Sequence, residues 1–425
     1  MTVVAYTLLL GAVALVLYSY IGYPLVLAAL ARLRRARPRP EMGDEWPTIS
    51  LSIPVYNEVH QIRDLLESIL ALDYPEDRRQ IVVISDASDD GTDDVVREYA
   101  SRGVELLRQS ERGGKTAAEN AAHAVLRGEI VVNTDASIRI DPGALKPLIA
   151  SFADPTVGVA SGRDVSVARE GRDANGGESG YVGYEMWLRS LETRLSGIVG
   201  ASGCFYAIRA HLHREPLPAG LSRDFASALI AREHGYRAVS VDDAVCYVPR
   251  TPSLHREYRR KVRTFARGMQ TLAHKRHLLN PFRHGVFAWM LFSHKVCRWL
   301  VPWAMLAALV GLVLLAPTAP WAWVPLGLAG AAALLARLGW NRSEKGDVPW
   351  VLATPAFVAV GNIAVLRAAI NALRGKSDAV WEPTRREVAG AASTVAIYGG
   401  HGHLALHSSP TWRESVPADI VLICS

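Results

Sequence analysis

The chain has 425 residues, of which 50% are hydrophobic and 21% are charged, and its formal net charge is +6. Its mean hydropathy of +0.11 is too high for an ordinary soluble enzyme, whereas its charged fraction is too high for a bundle of membrane helices alone. The composition therefore predicts a soluble domain joined to membrane-spanning segments. The positive charge suits anionic lipids or phosphate-bearing ligands without choosing between them.

The first 31 residues contain no charged side chain, and a basic cluster from Arg32 to Arg39 follows them. This run exceeds the roughly 20 residues that a spanning helix needs. A cleaved signal peptide would place its basic residues first and would have an apolar region of about 7–15 residues. We therefore expect an uncleaved anchor at 1–31, a basic linker at 32–46 and, by the positive-inside rule, a cytoplasmic domain after them.

Between residues 47 and 280, short β-branched runs alternate with segments of helical spacing. The runs ISLSIPVYN, QIVVISD, VELLRQ, EIVVNTD and VGVASG predict strands, and HQIRDLLESILAL, DDVVREYASR and KTAAENAAHAVLRG predict helices. Strands and helices in this order predict a mostly parallel sheet that is covered on both faces. Ligands collect at the carboxyl ends of such strands, where Asn57, Glu58, Asp86 and Asp135 are found.

The segment IVVISDASDDGTDD at 81–94 invites interpretation as a calcium loop. Asp86, Ser88 and Asp90 match the first ligand positions of an EF-hand, and Gly91 matches its invariant glycine. The position of the bidentate glutamate is instead Arg97, and a predicted strand precedes the loop where an EF-hand has a helix. The pattern argues against a calcium loop and leaves a nucleotide site or a solvated turn.

Two further signals concern phosphate chemistry. GGKT at 113–116 resembles the end of a P-loop, but Gln109 replaces the required earlier glycine, which excludes a Walker A motif. Lys115 at a helix start can meet a phosphate or the base-binding carboxylate, and a solvated lysine is the alternative. Asp135 ends an apolar strand, so its carboxylate either caps a turn or holds the divalent cation that a nucleotide diphosphate requires.

The segment 281–372 is predicted to contain about three transmembrane or interfacial helices. The uncharged run 299–336 can hold two short spans, 348–366 is a third candidate, and 285–296 fits an interfacial helix. Three spans would place the basic residues near Arg374 outside, so the third candidate is either re-entrant or an exception to the charge rule. The tail at 373–425 carries no recognisable motif. The four cysteines are scattered, which argues against a disulfide framework and a zinc site.

Six motifs follow one another along the chain: IPVYNE, ISDASDDGTDD, GGKTAAEN, VVNTDAS, GASGCFYAIR and SRDFASALIAREHGYRAV. This ordered set resembles family 2 glycosyltransferases, and in particular the membrane-embedded bacterial branch that includes cellulose, hyaluronan and poly-N-acetylglucosamine synthases. The resemblance covers residues 47 to 316 and, weakly, WEPTRR at 381–386. It implies an α/β domain of the GT-A type, which is a Rossmann-like nucleotide-diphospho-sugar transferase fold, with one N-terminal and about three C-terminal transmembrane or interfacial helices.

The resemblance also implies what the protein does. An inverting enzyme of this family would transfer a sugar from a nucleotide sugar, here expected to be a UDP-sugar, to a glycan or a lipid-linked acceptor at the bilayer. The expected cofactor is Mg²⁺ or Mn²⁺, and no nucleic-acid partner is expected. Two alternatives remain open: a polyprenyl-phosphate sugar transferase, and a non-catalytic nucleotide-sugar-binding assembly subunit.

Matching the motifs position by position gives the donor-site residues. Pro54, Tyr56 and Glu58 would line the nucleotide pocket, Asp86 would read the base, and Lys115 would meet a phosphate. The remaining members of the acidic segment are expected to shape the turn and to start the next helix, namely Asp89, Asp90, Asp93 and Asp94. The family's metal motif corresponds to residues 135–137. Asp135 is retained there, but Ser137 replaces the second acid.

The family's catalytic base corresponds to Asp224, which would take the proton of the acceptor hydroxyl as the diphosphate leaves. Arg223 stands where a second acid usually precedes this base, and a helix N-cap is the structural alternative for Asp224. Gly203 in GASGC is assigned to the acceptor and diphosphate side.

The Q-x-x-R-W signature of processive members is incomplete in EYRRKVRTFARGMQ at 257–270. There Phe265 is expected to replace the aromatic residue, and Arg263 or Arg267 to supply the cation for the leaving diphosphate. A basic amphipathic helix on anionic lipid is the alternative for this segment. The incomplete signature, together with Ser137, is what keeps the non-catalytic alternative open.

Overall fold

The computed structural model describes residues 1–34, 42–43, 45–167, 177–249, 253–344 and 348–374. Within these ranges eight strands form one sheet in the order β3-β2-β1-β4-β7-β6-β8-β5. The strands are β1 Ile49–Val55, β2 Arg79–Ser85, β3 Val104–Arg108, β4 Ile130–Thr134, β5 Arg139–Ile140, β6 Val157–Val167, β7 Phe205–Arg209 and β8 Arg237–Pro249. Strands β1 to β4 pair in parallel, as do β6 and β8, whereas β7 runs antiparallel to β4 and β6, and β5 to β8.

Helices flank the sheet and form both ends of the described chain. The helices are α1 Thr2–Leu17, α2 Tyr23–Arg32, α3 Ile62–Leu70, α4 Thr92–Glu98, α5 Lys115–Ala121, α6 Leu145–Ala150, α7 Gly177–Leu195, α8 Ala210–His213, α9 Arg223–Glu233, α10 Leu254–His274, α11 Pro281–His284, α12 Val286–Leu291, α13 Arg298–Leu315, α14 Trp323–Arg342 and α15 Trp350–Leu373. A π-helical segment, Tyr18–Gly22, joins α1 to α2, and another, Phe292–Cys297, joins α12 to α13.

The predicted α/β fold of the GT-A type is confirmed, but the sheet is less parallel than the sequence pattern indicated. Strands β1 to β4 and β6 lie where strands were predicted, whereas β5, β7 and β8 were not recognised. Because β7 is buried on both faces, its sequence FYAIR shows no alternation. Strand β8 is interrupted by the exposed Asp242 and Asp243, which lie in a bulge between Ser240 and Val245.

Two apolar layers cover the two faces of the sheet. Leu51 and Ile53 of β1 pack with Leu65 of α3 in one layer, and Ile84 of β2 and Ile230 of α9 belong to the other. Alternate residues of a strand point to opposite faces, so β2, for example, contributes Val83 to the first layer and Ile84 to the second. Burial of each such side chain stabilises the folded state by about 1.5–3 kcal/mol. This packing holds in place the strand ends at which the candidate site lies.

Four helical stretches are long and apolar enough to cross a membrane: Thr2–Arg32, Val286–Leu315, Pro320–Arg342 and Trp350–Leu373. They match the predicted N-terminal anchor and the predicted C-terminal helices. Many of their large apolar side chains are exposed on the protein surface, as expected for lipid-facing positions; Leu10 and Leu328 are examples. The predicted interfacial segment 285–296 is continuous with the following span, since α12, the π-helical segment and α13 form one helix of 30 residues.

The first part of this long helix packs against the sheet domain. Phe287 of α12 shares an apolar cluster with Tyr23 and Leu27 of α2, Leu188 of α7 and Phe225 of α9. Phe225 directly follows the predicted base Asp224. The membrane helices therefore meet the domain beside the candidate site. The predicted tail lies outside the described residues from position 375 onward.

Candidate active site

The predicted donor-site residues meet at the carboxyl ends of β1, β2 and β4. Val55 and Ser85 are register partners at the ends of β1 and β2. The backbone N–H of Asp86 continues this pairing by donating to the Val55 carbonyl at 2.9 Å. Asp135 follows β4, the neighbour of β1 on its other side. The parallel half of the sheet therefore brings both aspartates to one edge, as the strand pattern predicted.

Backbone groups hold the carboxylate of Asp86. Oδ1 accepts the N–H of Gly113 at 2.7 Å and Oδ2 accepts the N–H of Gly114 at 2.8 Å. Gly114 has a φ of +87°, a conformation that glycine adopts without strain. A Cβ at Gly113 would lie 2.7 Å from the Ala117 Cβ, so both glycines are needed for this close approach. Each carboxylate oxygen can accept a second hydrogen bond, so Asp86 is an oriented acceptor.

The three other residues assigned to the nucleotide pocket differ in how deeply they are buried. The ring of Tyr56 is half-buried and stacks with the guanidinium of Arg112, which lies 3.7 Å from the ring centroid. Pro54 is buried within β1. Glu58 is 3% exposed and accepts a hydrogen bond from the Gln61 side chain at 2.8 Å beside the start of α3. Of these three residues, Tyr56 is the one whose side chain is partly exposed. Its stacking partner, Arg112, was not identified from the sequence.

The remaining aspartates of the acidic segment lie in the turn before α4. Asp90 accepts hydrogen bonds from the backbone N–H groups of Thr92, at 3.0 Å, and Val59, at 3.1 Å. Burial alone would raise the pKa of Asp90, but these bonds and one from the Thr92 hydroxyl hold that pKa below its usual value. Asp93 pairs with Arg108. The predicted role in shaping the turn agrees with these contacts, and the calcium-loop interpretation finds no support in them.

Lys115 connects two parts of the candidate site. Its ammonium lies 2.5 Å from Oδ1 of Asp135 and donates to the Gly203 carbonyl at 3.0 Å. Burial alone would lower the pKa of Lys115, but the negative charges of Asp135, Glu119 and Asp224 raise it well above the usual value. Lys115 is therefore a fixed cation next to Asp135, and its interpretation as a solvated lysine is wrong.

Asp224 occupies the first turn of α9, next to the loop that carries Gly203. Its Oδ1 accepts a hydrogen bond from the Ser222 hydroxyl. A Cβ at position 203 would lie 2.8 Å from Oδ2 of Asp224, so the glycine permits the carboxylate to approach the loop. Gly203 thus lies beside the Asp224 carboxylate, and its carbonyl accepts a hydrogen bond from Lys115. The structure brings Asp135, Lys115, Gly203 and Asp224 together.

A buried charged pair lies behind these residues. Glu119 of α5 is 0% exposed, and its Oε2 lies 3.6 Å from Nε of Arg223, which is 2% exposed. Arg223 also donates to the His213 carbonyl at 3.0 Å and to the Asn120 side chain. Burial raises the pKa of Glu119, with Lys115 and Arg223 opposing that effect. Arg223 therefore supports α9 from inside. Sequence reasoning missed Glu119, although it belongs to the GGKTAAEN motif.

The three α10 residues that were assigned to the acceptor and the leaving diphosphate differ in their contacts. Arg267 donates to the Thr116 hydroxyl at 2.8 Å and to the Leu221 carbonyl, so it joins α10 to α5 and to the loop before α9. Burial lowers the pKa of Arg267, and Asp224 and Glu119 oppose this effect. Arg263 and Phe265 are half-buried on the same helix. Arg267 thus links α10 to two elements of the site.

The donor set for a divalent cation is small. Asp135 supplies a carboxylate that is 27% exposed, and Ser137, 8% exposed, supplies a hydroxyl two residues later. Within the described ranges no group of three or more His, Cys, Asp and Glu side chains is arranged to hold a metal ion. Mg²⁺ in nucleotide sites is commonly bound by one or two carboxylates, substrate phosphates and water. These residues therefore fit a cation that is held jointly with a donor diphosphate.

Comparison with known proteins agrees with this arrangement. Residues 50–213 match the family model described as glycosyl transferase family 2. A β-monoglucosyldiacylglycerol synthase of Trichormus variabilis is 27% identical over 38% of this chain and 36% of its own length. An uncharacterized protein of Mycobacterium tuberculosis is 27% identical over 64% of this chain and 86% of its own length. The chain thus spans about a third of the length of the first curated relatives that it matches.

A solved structure extends the likeness to most of the chain. A mannosyltransferase from Pyrobaculum calidifontis, in complex with GDP-Man and Mn²⁺, superposes with a TM-score of 0.66 at 25% identity. The superposition covers 87% of this chain and 100% of that one. These likenesses confirm the predicted GT-A type fold and support a glycosyltransferase enzyme. Residues 50–213 of the chain thus resemble glycosyl transferase family 2 proteins, and membrane-compatible helices lie on both sides of them.

Proposed function

We propose that the protein is an inverting glycosyltransferase that moves a sugar from a nucleotide-sugar donor to a glycan or lipid-linked acceptor at a membrane surface. The observation that carries this proposal is the bridge made by Lys115 and Gly203. Lys115 holds Asp135 at 2.5 Å and the Gly203 carbonyl at 3.0 Å, and Gly203 in turn contacts Asp224. A site for the donor diphosphate thus adjoins a carboxylate able to accept a proton.

The first role is to bind and orient the donor. Asp86 presents oriented carboxylate oxygens that can accept an N–H of the base, and the Tyr56–Arg112 stack offers a flat surface beside the turn. Lys115, together with Arg267, supplies positive charge for the diphosphate. Such charges favour departure of the diphosphate because they stabilise the negative charge that develops on it.

Asp224 acts as the general base in this proposal. The acceptor hydroxyl loses its proton to the Asp224 carboxylate while its oxygen forms a bond to the anomeric carbon. The bond from that carbon to the diphosphate breaks, and the nucleoside diphosphate leaves with the electron pair. Displacement from the face opposite the leaving group inverts the anomeric centre. The Ser222 hydroxyl holds Oδ1 of Asp224 and leaves Oδ2 toward the Gly203 loop.

A divalent cation fits at Asp135 and Ser137, as described above. When bound there with the donor, it neutralises diphosphate charge that Lys115 alone would not balance. The similar mannosyltransferase was solved with Mn²⁺ and GDP-Man. That complex supports binding of a divalent metal and a nucleotide-sugar donor. The expected UDP-sugar donor stays a prediction, so GDP-sugars are included in the test below.

The acceptor and the orientation of the chain are also proposals. The four apolar helices, together with the likeness to a diacylglycerol-glycosylating enzyme, support an acceptor at the bilayer and a place in cell-envelope synthesis. The relatives reported above include a β-monoglucosyldiacylglycerol synthase, which favours a lipid acceptor. The polysaccharide-synthase branch stays a prediction within this proposal. The basic cluster after residue 31 supports a cytoplasmic catalytic domain on a multi-pass chain.

The test is a donor panel applied to membranes that contain the full chain. Labelled UDP- and GDP-sugars are supplied with Mg²⁺, with Mn²⁺ or with a chelator, and released nucleotide and lipid- or glycan-bound label are measured. We expect cation-dependent transfer from one donor, with the anomeric configuration of the product inverted. Nucleotide binding without turnover for every donor would overturn the proposal in favour of a non-catalytic assembly subunit.

A further inference from the structure

A row of polar side chains crosses the middle of the sheet behind the candidate site. Ser52 of β1, Asn133 of β4 and Tyr206 of β7 are register partners on three adjacent strands. Their strand neighbours Leu51 and Val132 belong to the first apolar layer, so this polar row points into the second layer, which α5 and α9 cover. Each of the three residues is at most 1% exposed. The second layer therefore contains a buried polar region.

A chain of contacts joins the polar row to the buried pair of Glu119 and Arg223. Oδ1 of Asn133 lies 3.2 Å from Nε2 of His213, and the carbonyl of His213 accepts a hydrogen bond from Arg223 at 3.0 Å. Nε of Arg223 lies 3.6 Å from Oε2 of Glu119. This distance is too long for a hydrogen bond, so the two charged groups are neighbours without bonding directly. The polar row and the buried pair thus border one region between the sheet and the two helices.

Five residues of this region have buried polar atoms that make no hydrogen bond within the part of the chain that the structure describes. These atoms are Oγ of Ser52, Nδ2 of Asn133, Oη of Tyr206, Nε of Arg223 and both carboxylate oxygens of Glu119. Ser50, two residues before Ser52 on the same face of β1, differs because it donates to Gln80 at 2.6 Å and accepts from the N–H of Gly128 at 2.8 Å. A buried polar atom without a partner destabilises the fold, most of all when it is charged. Several such atoms in one region indicate a ligand.

The chemistry of these atoms selects a ligand that both donates and accepts hydrogen bonds. Asn133 and Arg223 offer N–H donors, and the Glu119 carboxylate offers acceptors. The hydroxyls of Ser52 and Tyr206 can do either. An anion would leave the carboxylate oxygens unpaired, and a metal cation would leave the N–H groups unpaired. Water satisfies both kinds of atom, and a buried water in a protein typically makes about three hydrogen bonds to such groups.

We propose that the polar row and the buried pair enclose a site for internal water molecules. Lys115 lies one helical turn before Glu119 on α5, and Asp224 directly follows Arg223 on α9. The waters complete the hydrogen bonds of the buried pair and so hold in place the two helices that carry the cation and the proposed base. They take no part in sugar transfer, so this site does not depend on the function proposed above.

The test is X-ray hydroxyl-radical footprinting of the full chain in detergent, read by mass spectrometry. Radicals form from bound water as well as from bulk water, so a buried side chain beside ordered water is oxidised and one in a dry layer is protected. Tyr206 and Phe205 are adjacent, both are 0% exposed, and they belong to opposite apolar layers. With each label normalised to that of the unfolded chain, we expect several-fold more oxidation at Tyr206 than at Phe205.

Thermal stability gives a second readout, and its sign separates a hydrated hydroxyl from an unpaired one. Removal of a hydroxyl that bonds to water loses hydrogen bonds, whereas removal of an unpaired hydroxyl relieves a desolvation cost. We expect Tyr206→Phe and Ser52→Ala each to lower the melting temperature by about 2–4 °C. Ser101→Ala removes an exposed hydroxyl and is the matched control, which should leave the melting temperature unchanged.

Equal protection of Tyr206 and Phe205 from oxidation would overturn the water site. An unchanged or raised melting temperature in both Tyr206→Phe and Ser52→Ala would also overturn it, and a lowered one in either variant supports it. The footprinting uses the unchanged chain, so a variant that fails to fold does not remove the test. Asp224→Asn should keep the label at Tyr206, so failure of the catalytic proposal and failure of this one give different results.

Discussion

The donor side and the membrane-facing side of the domain hold their charges differently. On the donor side, the backbone N–H groups of Gly113 and Gly114, in the loop just before α5, fix Asp86. On the membrane-facing side, Glu192 relies on Tyr23 and His294, which are 169 and 102 residues away in sequence. Changes on the first side should therefore alter catalysis in a folded protein, whereas changes on the second should loosen the docking of the membrane helices.

Apart from removal of the base itself, a large effect is expected from Gly203→Ala. The added methyl would lie 2.8 Å from Oδ2 of Asp224, so the carboxylate must move away from the loop. Displacement of a catalytic group by about 1 Å can cost about 100-fold in rate, and we expect a loss of kcat of that order with nucleotide affinity retained. Gly183→Ala is the matched control because no atom lies within 4 Å of its Cβ position. Full activity of Gly203→Ala would show that the loop does not position the base.

An effect of comparable size is expected from Lys115→Met. This change removes the cation between Asp135 and the Gly203 carbonyl while keeping an apolar stem of similar length. We expect kcat/KM for the nucleotide sugar to fall by about 10- to 1,000-fold, because the developing diphosphate charge loses a fixed positive partner. Lys146→Met serves as the surface control. An equal effect in both variants would place Lys115 outside the donor site.

Glu192→Gln tests the membrane-facing side. Glu192 is buried and accepts hydrogen bonds from Tyr23 and from the ring of His294, so loss of its charge should destabilise the fold by about 1.5–3 kcal/mol. Thermal unfolding in detergent measures the change. Glu98→Gln, an exposed glutamate paired with Arg63, should show little effect. The donor-site rate per folded molecule should stay near that of the unchanged protein.

Low pH should destabilise the packing around Glu192. Burial alone would raise the pKa of Glu192, but His294 and Tyr23 lower it below its usual value of 4.5. A carboxyl whose pKa is depressed by folding stabilises the protein above the unfolded value and loses that contribution as pH falls through the folded one. Stability should therefore decline below about pH 4.5, and Glu192→Gln should show a shallower decline. Identical pH profiles would contradict this.

The smallest effect is expected from Asp94→Asn in the acidic turn. Asp94 pairs with Arg97, but the two side chains are 82% and 57% exposed. An exposed pair of this kind contributes about 0–1 kcal/mol, so neither the melting temperature nor turnover should change measurably. A large loss of donor binding in Asp94→Asn would show that the acidic segment contributes more than Asp86 to the nucleotide site.

Much of the donor side could be predicted from the sequence because its signals are local. The strand that precedes Asp86, the strand that precedes Asp135 and the helix that starts at Lys115 can each be recognised from the few residues around it. The parallel pairing of β1, β2 and β4 then places them at one edge. The resemblance to a known family added Asp224, which no local pattern distinguishes from a helix cap.

The rest depends on contacts between distant parts of the chain. The Arg223–Glu119 pair and the Glu192–His294 contact join residues about 100 positions apart, and hydrophobic periodicity does not report such pairs. Strands β7 and β8 were missed because one is buried on both faces and the other contains a bulge with two aspartates. Segment 285–296 was predicted to be an interfacial helix, and only the fold places its Lys295 near Gly200.

The most direct test of the central claim is single-turnover transfer by Asp224→Asn with donor affinity measured in the same sample. Asp94→Asn, which also changes an aspartate in the first turn of a helix, is the control. Removal of a general base costs typically about 10²- to 10⁴-fold, so we expect a loss of that size in the transfer rate with unchanged donor affinity. Transfer at the unchanged rate in Asp224→Asn would contradict the assignment of Asp224 as the catalytic base.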